Sequence, residues 1–289
     1  MTNVKIGSVI SADGTAIGYR TLGGGRAVVL LHGAMESSAS HLQLAQALAA
    51  DFTLYLPDRR GRGLSGPHRR DHSIRTEVED LLALLTATGA RDVFGVSSGG
   101  VVALQTALTT SALDRVAVFE PPLIVDGSLS TAWLERYDRE MARGKVAAAL
   151  VTGMLGTRMG PPLFDRLPRW LLKLLTIMLM ASEDRKARAG GDEVPFGALA
   201  PTLHYEARLA IETTDMVDDF KAVDIEALLL GGGRSPAYLK TALDALEKAL
   251  PHARRVEFPG LGHGASGNTG KGGHPEQVAR ELRHFLTRP

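Results

Sequence analysis

The sequence predicts an α/β protein: a mostly parallel central sheet with helices on both faces, interrupted by a helical insertion. Three observations predict it. A G-x-S-x-G pentapeptide, Gly95-Val96-Ser97-Ser98-Gly99, lies between an apolar run and a helical pattern. Apolar runs alternate with amphipathic stretches before residue 122 and again after residue 226, as expected when parallel strands are joined by crossover helices. Between these two blocks the pattern is helical throughout. The expected organisation is therefore a core built from residues 1–122 and 226–289, with a helical cap over 123–225.

The elements follow in order. Val4 to Ile10 and Ala16 to Leu22 form an opening hairpin around Ser11-Ala12-Asp13-Gly14-Thr15. After Gly23-Gly24-Gly25, the run Ala27 to Leu31 lacks polar alternation and reads as a strand covered on both faces. A helix is expected from about Ser40 to Ala50, then a strand from Phe52 to Leu56. Thr76 to Thr88 places Val78, Leu81, Leu82, Leu84 and Leu85 at helical spacing and stops at Gly89, a C-cap residue. Arg91 to Val96 is the strand before the pentapeptide, Val101 to Leu108 the helix after it, and Asp114 to Phe119 the next buried strand. From Leu123 to about Lys221 the pattern is helical, with breaks expected at Gly153, Gly156, Gly160-Pro161-Pro162 and Gly190-Gly191. A strand at Ala227 to Leu230, a helix at Ala237 to Leu250, a strand at Arg254 to Phe258 and a helix at Pro275 to Leu286 close the chain, with His274 opening the last helix and a glycine-rich loop over 260–273.

Composition narrows the function classes. The 289 residues are 44% hydrophobic and 22% charged, and the formal net charge is +1. That balance offers no electrostatic pull toward nucleic acid or an anionic membrane. Arg59-Arg60, Arg69-Arg70 and Arg254-Arg255 are scattered pairs expected on the solvated surface. With no cysteine, disulfides, thiolate metal sites and a cysteine nucleophile are excluded, which agrees with a cytoplasmic home. No secretory signal is visible after Met1, and the apolar stretch Trp170 to Ala181 is too short to span a bilayer and is expected as a buried helix.

The pentapeptide carries the chemistry. A serine on a sharp strand-to-helix turn exposes its Oγ above the sheet in a strained conformation, and flanking glycines let the helix fold back on the strand. Such a hydroxyl needs a base, and histidine can take and return a proton near neutral pH. Of nine histidines, His263 is best placed, in Phe258-Pro259-Gly260-Leu261-Gly262-His263-Gly264 directly after the last strand. The oxyanion formed on attack needs backbone N–H donors. Ser98 should supply one, and Ala34 or Met35, after His32-Gly33, the other.

These pieces together resemble the α/β-hydrolase superfamily along nearly the whole chain. The matching parts are His32-Gly33 after a buried strand, Asp58-Arg59-Arg60-Gly61-Arg62-Gly63-Leu64-Ser65, the turn at Ser97, Pro259-Gly260-Leu261-Gly262-His263 and the helical insertion. The resemblance implies a hydrolase without cofactor or metal that works through an acyl-serine intermediate, and it implies that the Asp58–Ser65 segment is structural. Relatives with dehalogenase-like or epoxide-hydrolase-like chemistry carry aspartate at the position of Ser97.

The chain departs from the family at the acid that orients the histidine. The usual segment after the insertion reads Leu230-Gly231-Gly232-Gly233-Arg234-Ser235-Pro236, without a carboxylate and with Ser235 in the expected place. Some relatives draw the acid from the preceding strand end, where this chain has Glu120. Glu120 is favoured here; Asp215, Asp218 and Asp219, or no acid at all, are the alternatives.

The expected function is cleavage of a small or medium apolar ester or lactone by Ser97, His263 and Glu120. Met141, Met154, Met159, Met178, Met180, Trp133, Phe164 and Trp170 either line an apolar pocket or pack the cap on the core. Thioester, amide and diketone C–C cleavage share the same machinery. A ligand receptor, or a lyase or cyclase on the same fold, is the second reading, kept open by the missing acid after Leu230.

Overall fold

The computed structural model describes residues 3–160 and 162–288. The elements are β1 (Lys5–Ile10), β2 (Ala16–Gly23), β3 (Arg26–Leu31), α1 (Leu42–Leu48), β4 (Phe52–Pro57), α2 (Ile74–Thr88), β5 (Asp92–Val96), α3 (Ser98–Thr109) and β6 (Arg115–Phe119). They continue with α4 (Trp133–Ala142), α5 (Val146–Gly156), α6 (Arg169–Arg188), α7 (Phe196–Leu199), α8 (Leu203–Glu212), β7 (Glu226–Gly232), α9 (Ala237–Ala249), β8 (Ala253–Phe258) and α10 (Pro275–Leu286).

One eight-stranded sheet runs in the order β1-β2-β4-β3-β5-β6-β7-β8. β2 is antiparallel to both β1 and β4, and every later pairing is parallel. The continuous apolar runs have their cause here. All of β5 is buried, because helices cover both faces of the sheet. One face packs Val29, Val93 and Val118 against α2, α3 and α9 through Leu84, Val102 and Leu243. The other packs Val28, Phe94 and Leu228 against α1 and α10 through Leu44, Leu48, Val278 and Phe285. α2 ends at Gly89 in the left-handed conformation, φ 68°, which its missing Cβ permits.

Several expectations change in three dimensions. Residues 120–132 are not helical; α4 begins at Trp133. Gly153 does not break a helix but lies inside α5, where it passes close to Leu203 and Tyr137. Pro161, part of one expected break, lies outside the described residues. Arg59 and Arg60 are buried rather than solvated. Arg60 is forked onto Asp80 at 2.6 and 2.7 Å and onto Asp13 at 2.7 and 3.0 Å, so its guanidinium pins the β1–β2 turn to α2. Burial of such a charge is tolerated because its N–H groups meet carboxylates.

The largest departure is α6. Its apolar run forms the expected helix, but that helix is not buried. Leu172 is its one buried residue, while Trp170 is 68% and Met178 61% exposed. Apolar residues surround most of this helix, and the neighbouring chain reaches one side only. Among the described residues no helix is long and apolar enough to cross a membrane.

Candidate active site

Register brings the site to one edge of the sheet. Val96 pairs with Phe119 and Phe119 with Leu230, so β5 and β6 end level while β7 runs two residues further, to Gly232. Ser97 and Glu120 are the first residues beyond two of these neighbouring strands. The link is direct: Ser97 N–H donates to Phe119 O at 2.8 Å, and Glu120 N–H donates to Leu230 O at 3.1 Å.

Ser97 stands at the N-cap of α3 with φ 51° and ψ −123°. A non-glycine there carries strain of about 1–3 kcal/mol, held by its surroundings. The glycines explain the tight turn. A Cβ on Gly99 would stand 2.5 Å from His32 O, and one on Gly95 would stand 2.7 Å from Gly100 Cα. Glu120 and Met35 also have positive φ, 47° and 57°, so backbone strain gathers where the expected site residues lie.

Glu120 is wholly buried and both its oxygens are occupied. Oε1 accepts from Gly232 N–H at 2.6 Å, and Oε2 lies 2.7 Å from Nδ1 of His263. His263 opens a short 3-10 turn, His263–Ser266, beyond β8, with its side chain 19% exposed and its ring centroid 6.4 Å from that of Phe119. The other acids stand elsewhere. Asp215 accepts from Asp126 N–H at 3.2 Å, Asp218 pairs with Lys221 at 2.7 Å, and Asp219 is exposed. Ser235 is buried in the turn after β7, and its hydroxyl meets no partner among the described residues.

The loop after β3 holds Ala34 and Met35, which pack against Leu134, Tyr137 and Leu203 of the helical insertion. Gly33 N–H is already engaged, donating to Glu36 Oε2 at 2.7 Å. Ser98, at the start of α3, accepts through Oγ from Arg59 Nη1 at 2.9 Å.

Two histidines nearby differ in charge, and their partners show why. His32 Nδ1 faces Gly33 O at 2.8 Å, whereas its Nε2 accepts from Arg59 N–H at 3.0 Å. One nitrogen donates and one accepts, so the ring is neutral. Burial, with the Arg62 and Arg59 guanidiniums, pushes it down to about 4. His41 faces acceptors on both sides: Ser266 O at 3.0 Å from Nδ1 and Glu36 Oε2 at 3.0 Å from Nε2. Both nitrogens must donate, so this ring is an imidazolium. Burial opposes the charge, but Glu36 outweighs it and raises the His41 pKa. In Glu36 burial likewise raises the carboxyl, and His41 and Gly33 N–H more than reverse that, holding it at about 2.

A buried ion network lies under Ser98. Arg59 Nε donates to Glu77 at 2.9 Å and Nη1 to Glu206 at 2.9 Å, and Arg62 Nη2 donates to Glu206 at 2.5 Å. Glu206 belongs to α8, so the network ties the insertion to the core loop beneath Ser98. His68, His72 and Glu77 present ligand atoms within 4.8 Å of one another. Glu77 already carries the Arg59 guanidinium on its other oxygen, which disfavours a further cation there. Glu36, His41 and Glu206 have no signal in the sequence, because nothing in spacing or periodicity singles them out, whereas Arg62 belongs to the Asp58–Ser65 segment expected to be structural.

The fold and this edge define an α/β-hydrolase architecture. A family model described as "Alpha/beta hydrolase family" matches residues 28–281, and the chain belongs to that family. An α/β hydrolase from Sphaerobacter thermophilus has a similar crystal structure: TM-score 0.78 and 31% identity over 97% of this chain and 100% of that one. The chain is 26% identical to a non-heme haloperoxidase of Rhodococcus erythropolis, covering 89% of this chain and 92% of the relative. It is 27% identical to a pimeloyl-[acyl-carrier protein] methyl ester esterase of Xanthomonas oryzae pv. oryzae, covering 92% and 96%.

Proposed function

We propose that this protein is a serine hydrolase that cleaves a small or medium apolar carboxylic ester or lactone through an acyl-serine intermediate. The observation that carries the reading is the 2.7 Å contact between His263 Nδ1 and Glu120, at the sheet edge that also bears Ser97. Glu120 accepts a hydrogen bond from Nδ1–H, which keeps the proton on Nδ1 and leaves Nε2 able to receive the serine proton.

In this mechanism Ser97 Oγ attacks the carbonyl carbon and its proton passes to His263 Nε2. The amides of Ser98 and of Ala34 or Met35 hold the oxyanion. Collapse breaks the ester bond, and His263 returns the proton to the departing alcohol. Water then attacks the acyl-serine and His263 takes its proton; collapse breaks the bond between acyl carbon and Ser97 Oγ, His263 returns the proton to Oγ, and the acid leaves. Glu120 stays ionised and stabilises the imidazolium in both halves.

The helices within 123–225 act as the cap, and their Leu134, Tyr137 and Leu203 cluster against Ala34 and Met35 favours an apolar acyl group. The relatives' named activities differ, esterase against haloperoxidase, so the substrate class rests on the chemistry of the site. Ser97→Ala tests the reading. Labelling by a fluorophosphonate probe and turnover of p-nitrophenyl esters should both vanish; labelling that persists in the variant excludes Ser97 as the nucleophile.

A further inference from the structure

Beside Ser97 stands a charged pair that the hydrolytic steps above do not use. Glu36 follows Ala34 and Met35 on the same loop. A Cβ on Gly33 would stand 2.9 Å from Ser97 Cβ and 3.2 Å from Glu36 Oε2, so the serine and the carboxylate flank the same glycine. Oε2 is held twice, by Gly33 N–H at 2.7 Å and by His41 Nε2 at 3.0 Å. Oε1 accepts no hydrogen bond among the described residues, and 26% of the side chain remains exposed. His41 is nearly enclosed, 3% exposed, and is anchored on its far side to Ser266 O at 3.0 Å, three residues beyond His263. The pair is therefore an oriented dipole. Its negative end lies across Gly33 from Ser97, and its positive end is buried between the two loops that carry the chemistry.

We propose that Glu36 is a specificity-determining residue, whose fixed negative charge beside Ser97 admits neutral or cationic esters and rejects acyl chains that carry their own carboxylate. This rests on the serine-hydrolase reading of the site. The physical ground is simple. A carboxylate on a short acyl chain bound to Ser97 would share this corner of the site with the Glu36 carboxylate, and the two like charges repel although water screens the exposed part of Glu36. It would also lose its hydration without gaining a cation, since His41 spends both N–H groups on Glu36 and Ser266. Ammonium or hydroxyl groups on the acyl chain find an acceptor in Oε1 instead. The His41 imidazolium limits the damage of a carboxylate near the developing oxyanion, which explains why the charge is paired rather than bare.

The test compares methyl butanoate with monomethyl succinate, which differ by a terminal carboxylate. The wild-type enzyme should favour methyl butanoate in kcat/KM by about tenfold or more. Glu36→Gln keeps an acceptor for Gly33 N–H and removes the charge, so that preference should fall by about tenfold, whatever the variant's absolute rate. An unchanged preference in the variant overturns the proposal. Inhibition of the wild-type protein by butylboronic acid and by 3-carboxypropylboronic acid gives a variant-free check. The neutral compound should inhibit at least about tenfold more tightly, and equal inhibition overturns the proposal even if Glu36→Gln does not fold. Absence of turnover on every ester, with no boronic acid inhibition, marks failure of the hydrolase reading itself. Turnover without charge discrimination marks failure of the role given to Glu36.

Discussion

Arg59 N–H donates to Nε2 of His32 at 3.0 Å, and this one bond fixes the ring as neutral because its other nitrogen faces Gly33 O. A pH dependence of stability follows. The folded-state pKa of His32 is about 4 against an ordinary 6.5, so between those values the unfolded chain binds the extra proton. Stability is fully present above pH 6.5 and declines as the pH falls toward 4. At pH 5 the loss from His32 is about 2 kcal/mol. Asp92, raised to about 6 chiefly by burial, works in the opposite sense, since the folded state takes up its proton first as the pH falls. Urea unfolding at pH 7.5 and pH 5 should show a smaller acid loss in His32→Gln than in wild type, with Asp92 common to both. Equal losses would mean that His32 is not held neutral.

Glu120 is the second point of test. In Glu120→Gln the amide NH2 would donate to His263 Nδ1, which moves the ring proton to Nε2 and removes its ability to accept from Ser97. The expected fall in kcat is about 10³–10⁴-fold, with the fluorophosphonate reaction slowed to match. A fall of less than about tenfold would show that another group orients His263.

Glu206 sits 5% exposed, bound to two guanidiniums. Glu206→Leu leaves Arg59 and Arg62 without that compensation, so unfolding free energy should drop by about 3–5 kcal/mol. Because Arg59 also holds Ser98 Oγ, residual folded enzyme should show lower kcat as well. Denaturant titration and steady-state rates on the same preparation check both effects. A stability change near zero would mean that water or a rearranged carboxylate takes over the pair.

Exposure separates two aromatic residues of the insertion. Tyr137 is fully buried and its hydroxyl donates to Ala200 O, whereas Trp170 is 68% exposed. Tyr137→Ala should cost about 3–5 kcal/mol and Trp170→Ala less than about 0.5 kcal/mol. Thermal melts of the two variants compare them directly. A large loss from Trp170→Ala would show that α6 is covered in solution.

Much of the architecture was legible in the chain because short-range patterns encode it. Strand runs without polar alternation, helical spacing in α2 closed by Gly89, and the glycines around Ser97 all express local geometry. The expected helix limits moved by a few residues because end turns depend on neighbours. Gly153 sits inside α5 rather than breaking it, because a glycine within a helix can serve close packing, here against Leu203 and Tyr137. The apolar run of α6 specifies a helix, but periodicity cannot say whether another surface lies over it.

The sequence by itself determined the fold class, the sharp strand-to-helix turn at Ser97 and the delivery of His263 after the last strand, since each depends on residues adjacent along the chain. Only the tertiary structure decided which carboxylate meets that imidazole, 143 positions away; which arginines are buried; and which histidines hold a proton. Those outcomes depend on who stands across a loop or a strand register, and charge states answer to such distant neighbours rather than to local composition.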